Sequence, residues 1–327
     1  MKTLVTGATG FIGSALTRKL KARGADVRVL VRDPAKLERL GLDVTDVVQG
    51  DITDPRAVER ATRGVDLVYA IAATFREPNL AAAHYRAVNV EAVRVMLEAA
   101  HRNRVRRVVH CGTCGIHGSI DGSPADENHP IRPVGIYERT KADGERLAFE
   151  LSKGNGLEVT ALRPTPVYGP GDMRLLKLFK LASHDPIVMI GPGTASYHLV
   201  YIDDLTDAFV LAGESPDAAG EAFLIGGPEI PSLNELLATL SGILGCEGRR
   251  IVRLPARPVW AASWLCEAVC RPLGVKPPIF RRRVEFFIKN RAYRIDKAKN
   301  LLGYSPRVRI DDGLRATAAW YRERGLL

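Results

Sequence analysis

Short apolar runs alternate with amphipathic segments through the first half of the chain. The runs Val27–Val31 and Arg107–Cys111 are rich in β-branched residues, which is typical of strands buried on both faces of a parallel sheet. Between such runs, apolar residues recur at helical spacing, as with Val90, Val93 and Leu97 on one helix face. The alternation predicts an α/β fold with a doubly wound parallel sheet.

The pattern assigns individual elements along the chain. Predicted strands are Lys2–Thr6, Val27–Val31, Val44–Gln49, Leu67–Ile71, Arg107–Cys111, Leu157–Leu162 and Ala222–Gly226. Predicted helices are Ser14–Arg23, Pro55–Thr62, Val90–Arg102 and Tyr137–Leu151, with a further helix inside Val200–Gly213 after a short strand.

Three glycines, Gly7, Gly10 and Gly13, follow the first predicted strand and lead into the first predicted helix. A strand, a glycine turn and a helix N-terminus together present backbone N–H groups to a pyrophosphate. The G-x-x-G-x-x-G spacing is one residue longer in its first gap than the commonest dinucleotide fingerprint. Because a second strand follows at the expected distance, the motif predicts a Rossmann-type dinucleotide site.

Regularity fades after Gly169, where glycines and prolines interrupt the pattern. We expect residues 1–169 to form an NAD(P)-binding Rossmann domain, with residues 198–227 returning to its sheet. Residues 170–197 and 228–327 are expected to form a smaller C-terminal lobe that binds a small-molecule substrate and caps the cleft.

Composition narrows the class of protein only slightly. The 327 residues are 46% hydrophobic and 26% charged, as in ordinary globular proteins. The 47 basic and 37 acidic residues give a net charge of +10, which suits phosphate-bearing ligands or an anionic surface. No nucleic-acid-binding motif accompanies this charge, so we expect no nucleic-acid partner.

The cysteines and the N-terminus bear on the compartment. Five cysteines are an odd and sparse set, which is typical of a reducing compartment. Cys111-x-x-Cys114 has no second pair at ligand spacing, so we expect no metal site. No signal peptide and no membrane span is evident, and we therefore expect a cytoplasmic protein.

Tyr137 and Lys141 open the fourth predicted helix and share one of its faces at i and i+4. A phenol with an ordinary pKa of about 10 is a poor base at neutral pH. A nearby ammonium group, together with a positively charged nicotinamide, would stabilise the phenolate and lower that pKa. Tyr137 is therefore the candidate acid/base, and Lys141 is the candidate ligand of the cofactor ribose.

Together with the glycine motif, several segments resemble the extended short-chain dehydrogenases/reductases. This family includes nucleotide-sugar epimerases and dehydratases, 3β-hydroxysteroid dehydrogenases and dihydroflavonol reductases. The matching segments are Gly50–Asp54, Val88–Val90, Arg163–Pro170, Arg294–Ala298 and Leu302–Pro306. The resemblance covers nearly the whole chain and implies an enzyme that uses NADP or NAD.

The resemblance also implies roles for single residues. Asp51 matches the acidic residue that contacts adenine, and Asn89 matches an asparagine that supports the catalytic site. Thr113 takes the position of the catalytic Ser or Thr and would hold the substrate oxygen against Tyr137. Further cofactor contacts are implied for Phe11, Ile12, Ile52, Ala72, Ala73 and Pro164.

The end of the second strand bears on the choice of cofactor. NAD enzymes of this fold usually have an acidic residue there, which binds the ribose diol. This chain has Val31 followed by Arg32, whose guanidinium group can pair with a 2′-phosphate. Because Val31–Pro34 also resembles NADPH-dependent dihydroflavonol reductases, we expect NADP to be preferred. Asp33 remains available to a diol, which keeps NAD as the alternative.

Two departures from the nucleotide-sugar members bear on the substrate. Where those members commonly have Asn and Arg in contact with a diphosphate, this chain has Pro166 and Tyr197. The loss of an amide and a guanidinium group removes polar anchors for phosphates. A less polar alcohol or ketone is therefore favoured as substrate. Arg291 and Arg294 remain available to a diphosphate, so a nucleotide-sugar epimerase is the alternative.

An apolar segment, Pro258–Ile279, precedes the arginine triplet Arg281–Arg283. Its large apolar residues are Trp260, Trp264, Leu265, Val269, Leu273 and Ile279. The segment could pack inside the lobe, line a hydrophobic pocket, or form a peripheral contact with a membrane.

Three functions are compatible with these residues. The first is an NADP-dependent oxidoreductase with Tyr137, Lys141, Thr113 and Asn89 at its catalytic site. The second is a nucleotide-sugar epimerase or dehydratase that retains NAD, and the third is a dinucleotide-binding protein without catalysis. The family resemblance further implies a homodimer through the helices Val90–Arg102 and Tyr137–Leu151.

Overall fold

The computed structural model describes residues 1–75, 80–122, 124–270, 272, 274–275 and 277–327. Leu273 of the predicted apolar segment lies outside the described residues. The strands are β1 (Lys2–Thr6), β2 (Asp26–Val31), β3 (Asp46–Gln49), β4 (Leu67–Ala70), β5 (Arg107–Cys111), β6 (Glu158–Pro164), β7 (Val167–Tyr168), β8 (Ile187–Ile190), β9 (Val200–Tyr201), β10 (Ala222–Ile225) and β11 (Ile251–Leu254).

The helices connect these strands and cover both sides of the main sheet. They are α1 (Phe11–Ala22), α2 (Ala35–Arg39), α3 (Pro55–Thr62), α4 (Ala82–Arg86), α5 (Ala92–Arg102), α6 (Ile136–Ser152), α7 (Leu176–Ala182), α8 (Ile202–Glu214), α9 (Leu233–Leu244), α10 (Ala256–Cys270), α11 (Arg281–Ile288), α12 (Asp296–Leu302) and α13 (Ile310–Glu323). A π-helical turn, Ala87–Glu91, joins α4 to α5.

Seven of the strands form one parallel sheet in the order β3-β2-β1-β4-β5-β6-β10. The strand order reverses between β1 and β4, and a cleft forms at such a switch point in doubly wound sheets. Leu4 and Val5, adjacent on β1, are both fully buried in separate hydrophobic cores on opposite faces of the sheet. The predicted doubly wound α/β fold is therefore confirmed.

The helix predicted to begin at Val90 is longer at its N-terminal end. The chain is already helical from Ala82, and the π-helical turn lies between this first segment and α5. The pattern missed this start because α4 has Ala81 at its N-cap, which offers no side chain to the first N–H groups.

The C-terminal part of the chain returns to the main sheet and also builds a small lobe. β10 is the edge strand beside β6, and α8 packs against α1, where Lys19 Nζ lies 2.6 Å from Asp207 Oδ1. In the lobe, β8 and β11 form a parallel pair, and a Ser232/Glu235 capping box begins α9. No helix in the described residues is long and apolar enough to cross a membrane.

Arg107 ties β5 to the end of α8 from inside the protein. Its side chain is 1% exposed, and its Nε donates to Glu158 Oε2 at 2.7 Å. Its Nη1 donates to the backbone carbonyls of Ala212 and Ser215. Removal of the guanidinium group would leave buried carbonyls without a donor, which is costly.

We expect Arg107→Met to lower the free energy of unfolding by about 3 kcal/mol, because buried acceptors lose their partner. Arg106→Met is the matched control, since Arg106 contacts the same Glu158 but is 44% exposed, and its loss should cost under about 1 kcal/mol. Urea unfolding measures both values. Equal losses in the two variants would contradict the structural role of Arg107.

Candidate active site

The sequence-predicted site residues follow the carboxyl ends of neighbouring parallel strands. Gly7 follows β1, Ala72 and Ala73 follow β4, Thr113 follows β5, and Pro164 ends β6. The carboxyl ends of parallel strands form one edge of the sheet, and ligands of doubly wound folds bind there. The structure thus places these predicted residues along one edge of the sheet.

The glycine loop brings the first turn of α1 close to the end of β1. Gly7 has φ +71°, and its carbonyl accepts from Gly10 N at 2.9 Å. A Cβ atom on Gly13 would lie 2.1 Å from Gly7 O. Gly10 is the N-cap of α1 and supplies no side-chain cap. The first N–H groups of α1 therefore face the cleft without a side chain over them, which fits a dinucleotide pyrophosphate.

Asp51 and Arg32 lie together beyond β3 and β2. Partial burial acts to raise the pKa of Asp51, but hydrogen bonds from Thr53 N and Oγ1 and the charge of Arg32 hold it below its ordinary value. Arg32 is 79% exposed, and its Nη1 lies 3.9 Å from Asp51 Oδ2. Asp33 instead accepts from Ala35 N at 3.1 Å and from Arg39 at 2.8 Å.

Tyr137 and Lys141 lie one turn apart on α6, which begins at Ile136. Both side chains are largely buried, at 9% and 2% exposure. The Tyr137 ring meets Phe75 edge to face with the ring centroids 4.8 Å apart. Lys141 Nζ lies 3.4 Å from His110 Nε2 at the end of β5.

Burial controls the charge of this histidine and lysine pair. It lowers the pKa of Lys141, while nearby Cys111 and Glu145 act in the opposite direction. Burial also lowers the pKa of His110 well below its ordinary value, and the Lys141 ammonium group lowers it further. His110 is therefore neutral and accepts a hydrogen bond from Lys141 at neutral pH.

Thr113 begins the 3₁₀ turn Cys114–His117 directly after β5. Its Oγ1 accepts from Gly115 N at 3.1 Å, which orients the hydroxyl group. A Cβ atom on Gly115 would lie 3.3 Å from Thr113 Oγ1 and 3.2 Å from Glu138 Cγ. Because Gly115 has no side chain, Thr113 and the first turn of α6 approach each other closely.

Asn89 lies in the π-helical turn and is 1% exposed. Its Oδ1 accepts from Thr74 N at 2.9 Å, and its Nδ2 donates to Thr74 O and to Thr140 Oγ1, each at 3.1 Å. Asn89 thus connects the segment after β4 to α6 at the residue before Lys141. These contacts hold α6 at Thr140, between Tyr137 and Lys141. The irregular turn supplies this geometry, as π-helical turns often do at functional sites.

A second buried network holds α6 against β6. Arg163 Nη2 lies 2.6 Å from Glu145 Oε1, and Arg163 Nη1 lies 3.3 Å from His117 Nε2. His117 Nδ1 donates to His129 O at 2.9 Å, which leaves Nε2 as the acceptor for Arg163. Burial and the charge of Arg163 lower the pKa of His117 to about 4.

Sequence reasoning missed Asp172 and Arg174, which form a pair beside the glycine loop. The Arg174 guanidinium group lies 5.6 Å from the centroid of the Phe11 ring and 5.2 Å from that of Phe75. Asp172 Oδ1 accepts from Arg174 Nε at 2.6 Å. These contacts link the glycine loop, through Phe75, to Tyr137. Arg174 lies in an irregular loop, so no periodic pattern could have indicated this role.

The region where nucleotide-sugar members carry polar anchors is different here. Tyr197 is 5% exposed, and its hydroxyl donates to Phe286 O. The Arg291 guanidinium group lies 4.8 Å from the centroid of the Tyr197 ring, while Arg294 Nε pairs with Asp296 at 2.7 Å. Burial raises the pKa of Tyr197 to about 12 against the influence of Arg291, so its hydroxyl is neutral.

No group of three metal-ligating side chains occurs in the part of the chain that the structure describes. None of the five cysteines, all within that part, forms a disulfide.

Comparisons with known proteins agree with this architecture. Residues 3–226 match the NAD dependent epimerase/dehydratase family. The chain is similar to sterol demethylase protein B of Methylococcus capsulatus, with 30% identity over 343 residues and 100% of each chain covered. It is also 30% identical to the 2-alkyl-3-oxoalkanoate reductase of Stenotrophomonas maltophilia over 336 residues, which cover 98% of this chain and 99% of that protein.

A solved structure extends the likeness. The dTDP-glucose 4,6-dehydratase of Streptomyces venezuelae, determined with NAD bound, is 28% identical, with a TM-score of 0.78. The match covers 99% of this chain and 98% of that one.

The neutral His117 makes stability depend on pH. Its pKa is about 4 in the folded state and about 6.5 in the unfolded chain, so its contribution is complete above pH 6.5 and is lost as the pH falls towards 4. Between pH 8 and pH 5, the free energy of unfolding of the native protein should fall by about 2 kcal/mol more than that of His117→Gln. Urea unfolding at both pH values measures the difference.

The matched control is His101→Gln, because His101 is exposed on α5. This variant should follow the pH dependence of the native protein. If His117→Gln loses as much stability as the native protein between pH 8 and pH 5, the buried neutral state of His117 is wrong.

Proposed function

The chain belongs to the NAD dependent epimerase/dehydratase family of extended short-chain dehydrogenases/reductases. On that premise, we propose that the protein transfers a hydride between a nicotinamide cofactor and a secondary alcohol or ketone of low polarity. The observation that carries this proposal is the joint placement of Tyr137 and Lys141 on α6 beside Thr113. Contacts of Phe75 and Arg174 link Tyr137 to the glycine loop.

Each catalytic side chain has one task. Thr113 donates a hydrogen bond to the substrate oxygen, since its Oγ1 accepts from Gly115 N and its O–H group remains as a donor. Tyr137 exchanges a proton with the same oxygen. In the direction of alcohol oxidation, the hydroxyl proton moves to the Tyr137 phenolate as the hydride leaves the carbinol carbon. The bound cofactor supplies the hydride acceptor, or the hydride donor in the reverse direction.

Lys141 acts on the phenol and on the ribose. Its buried ammonium group stabilises the Tyr137 phenolate, since charge interactions are strong where water is excluded. Neutral His110, 3.4 Å away, accepts a hydrogen bond from Lys141 Nζ and fixes the direction of the lysine side chain. The other donor positions remain for the ribose hydroxyls.

NADP is the proposed cofactor. Arg32 follows β2 where NAD enzymes usually have an acidic residue, and its exposed guanidinium group can reach a 2′-phosphate. Asp33, which would otherwise suit a ribose diol, is held by Ala35 N and Arg39. Phe11, Ile12, Ile52, Ala72, Ala73 and Pro164 are proposed as further cofactor contacts.

The proposed substrate is an apolar alcohol or ketone. Tyr197 stacks with Arg291 and donates to Phe286 O, so both groups have partners inside the protein. Pro166 offers no donor to a phosphate. The names of two relatives, sterol demethylase protein B and 2-alkyl-3-oxoalkanoate reductase, also point to lipophilic substrates.

A nucleotide-sugar epimerase or dehydratase that retains NAD is the second candidate. The similarity to an NAD-bound dTDP-glucose 4,6-dehydratase favours it. Release of stoichiometric NAD from the denatured protein would support this candidate, whereas a site that takes up NADPH on titration would support the first.

We further propose that the protein is a cytoplasmic homodimer. The odd and sparse set of five cysteines supports a reducing compartment. The dimer would form through α5 and α6.

The acid/base role predicts that Tyr137→Phe lowers kcat by about 10²–10⁴-fold, because only the hydroxyl is lost. NADPH affinity should change less than about twofold, since the ring contact with Phe75 remains. Steady-state kinetics and fluorescence titration measure the two effects. The matched control is Tyr69→Phe, which removes a buried hydroxyl on β4 beside α8. Unchanged turnover in Tyr137→Phe would refute the role.

The cofactor assignment predicts that Arg32→Ala raises the Kd for NADPH about tenfold, because a charge-assisted hydrogen bond to the 2′-phosphate is lost. The Kd for NADH should stay the same. Arg39→Ala is the control, since Arg39 is similarly exposed but pairs with Asp33. A ratio of NADPH to NADH affinity that does not change in Arg32→Ala would reject the NADP assignment.

A further inference from the structure

Helix α10 buries polar residues and exposes apolar ones, which is the opposite of a helix that packs on a protein core. Its two buried residues are polar, Ser263 and Glu267. Trp264, Leu265 and Val269 are 52%, 59% and 54% exposed. The two polar residues that interrupt this apolar stretch in the sequence are therefore the ones that face the protein.

The exposed residues form one continuous surface. Positions 260, 261, 264, 265, 268 and 269 are all exposed, and they recur at i, i+1, i+4 and i+5 on a single helix face. We call this set the apolar stripe. Two of the three tryptophans of the chain lie in it. A contiguous exposed apolar surface of this kind marks an interaction site.

The polar contacts of α10 keep the apolar stripe outward. Glu267 accepts from Arg281 N at 2.8 Å and from Arg281 Nε at 3.1 Å. Ser263 Oγ donates to Trp260 O at 2.7 Å. Rotation of α10 to bury the apolar stripe would break the ion pair of the buried Glu267 carboxylate with Arg281, which is costly.

The charge around the apolar stripe is positive. Residues 256–283 contain six basic residues and one acidic residue, Glu267, which is buried and paired with Arg281. Arg257, Arg282 and Arg283 are exposed on either side of the stripe in sequence. The surface is thus apolar and cationic, which complements an anionic lipid surface better than a neutral apolar partner.

We propose that α10 binds the surface of an anionic phospholipid bilayer and lies in the plane of the interface. Fifteen residues are too few to cross about 30 Å of hydrocarbon, so the helix rests on the membrane instead. Trp260 and Trp264 enter the headgroup region, where tryptophan is favoured. Arg257 and Arg283 pair with lipid phosphates.

The apolar stripe lies in the part of the chain that is also proposed to bind the substrate. α11 follows the α10 segment, and the carbonyl of its Phe286 accepts the hydrogen bond of Tyr197. Membrane contact would place this region next to a store of lipophilic molecules. The inference itself does not depend on the proposed reaction, since vesicle binding requires no turnover.

Co-sedimentation with lipid vesicles tests the proposal. The native protein should bind vesicles of phosphatidylglycerol and phosphatidylcholine more tightly than vesicles of phosphatidylcholine alone, and added salt should weaken binding. Tryptophan emission should shift to shorter wavelength on binding. Leu265→Asp should weaken vesicle binding about tenfold or more, because an apolar contact with the membrane is replaced by an anion.

Leu301→Asp is the matched control, with the same chemical change at an exposed leucine on α12, and should bind vesicles like the native protein. Circular dichroism and NADPH titration check that both variants are folded. Native protein that stays in solution with anionic vesicles, or equal binding by Leu265→Asp, would overturn the proposal. A native oligomer that Leu265→Asp dissociates, with no vesicle binding, would assign the apolar stripe to a second copy instead.

Discussion

The close approach of α1 to the end of β1 is the constraint on which the cofactor site depends. A Cβ atom on Gly13 would lie only 2.1 Å from Gly7 O, so no side chain fits between α1 and the end of β1. The same closeness points the N-terminus of α1 at the cleft, where its unsatisfied N–H groups can bind phosphate. Gly7 also faces the backbone of Ala72, so the loop is bounded by β4 on its other side.

Helix α6 is held by buried polar contacts rather than by apolar packing alone. Asn89 joins α6 to the segment after β4, and Arg163 with Glu145 joins it to β6. Such contacts are directional, and each would be costly to leave unmade in a buried position. They restrict α6 along its length, which keeps Tyr137 and Lys141 in register with Thr113. Neutral His110 and His117 complete these contacts without adding charge to the interior.

The Rossmann sheet and α10 distribute polar and apolar residues in opposite ways. In the Rossmann sheet, apolar residues turn inward and leave charged residues at the surface. In α10, Glu267 takes the inner position and pairs with Arg281 of α11, and tryptophans take the outer one. A contiguous exposed apolar face of this kind is the observation from which membrane contact is proposed.

The sequence by itself determined the local features. The order of strands and helices, the glycine turn and the spacing of Tyr137 and Lys141 follow from short-range periodicity and from steric limits on backbone conformation. Only the tertiary structure decided which distant side chains meet: Arg174 with Phe11 and Phe75, and Asn89 with Thr140. It also decided that α10 turns its polar side inward. Hydropathy reports the free energy of burying each residue, whereas these contacts depend on partners far along the chain, which no local pattern contains.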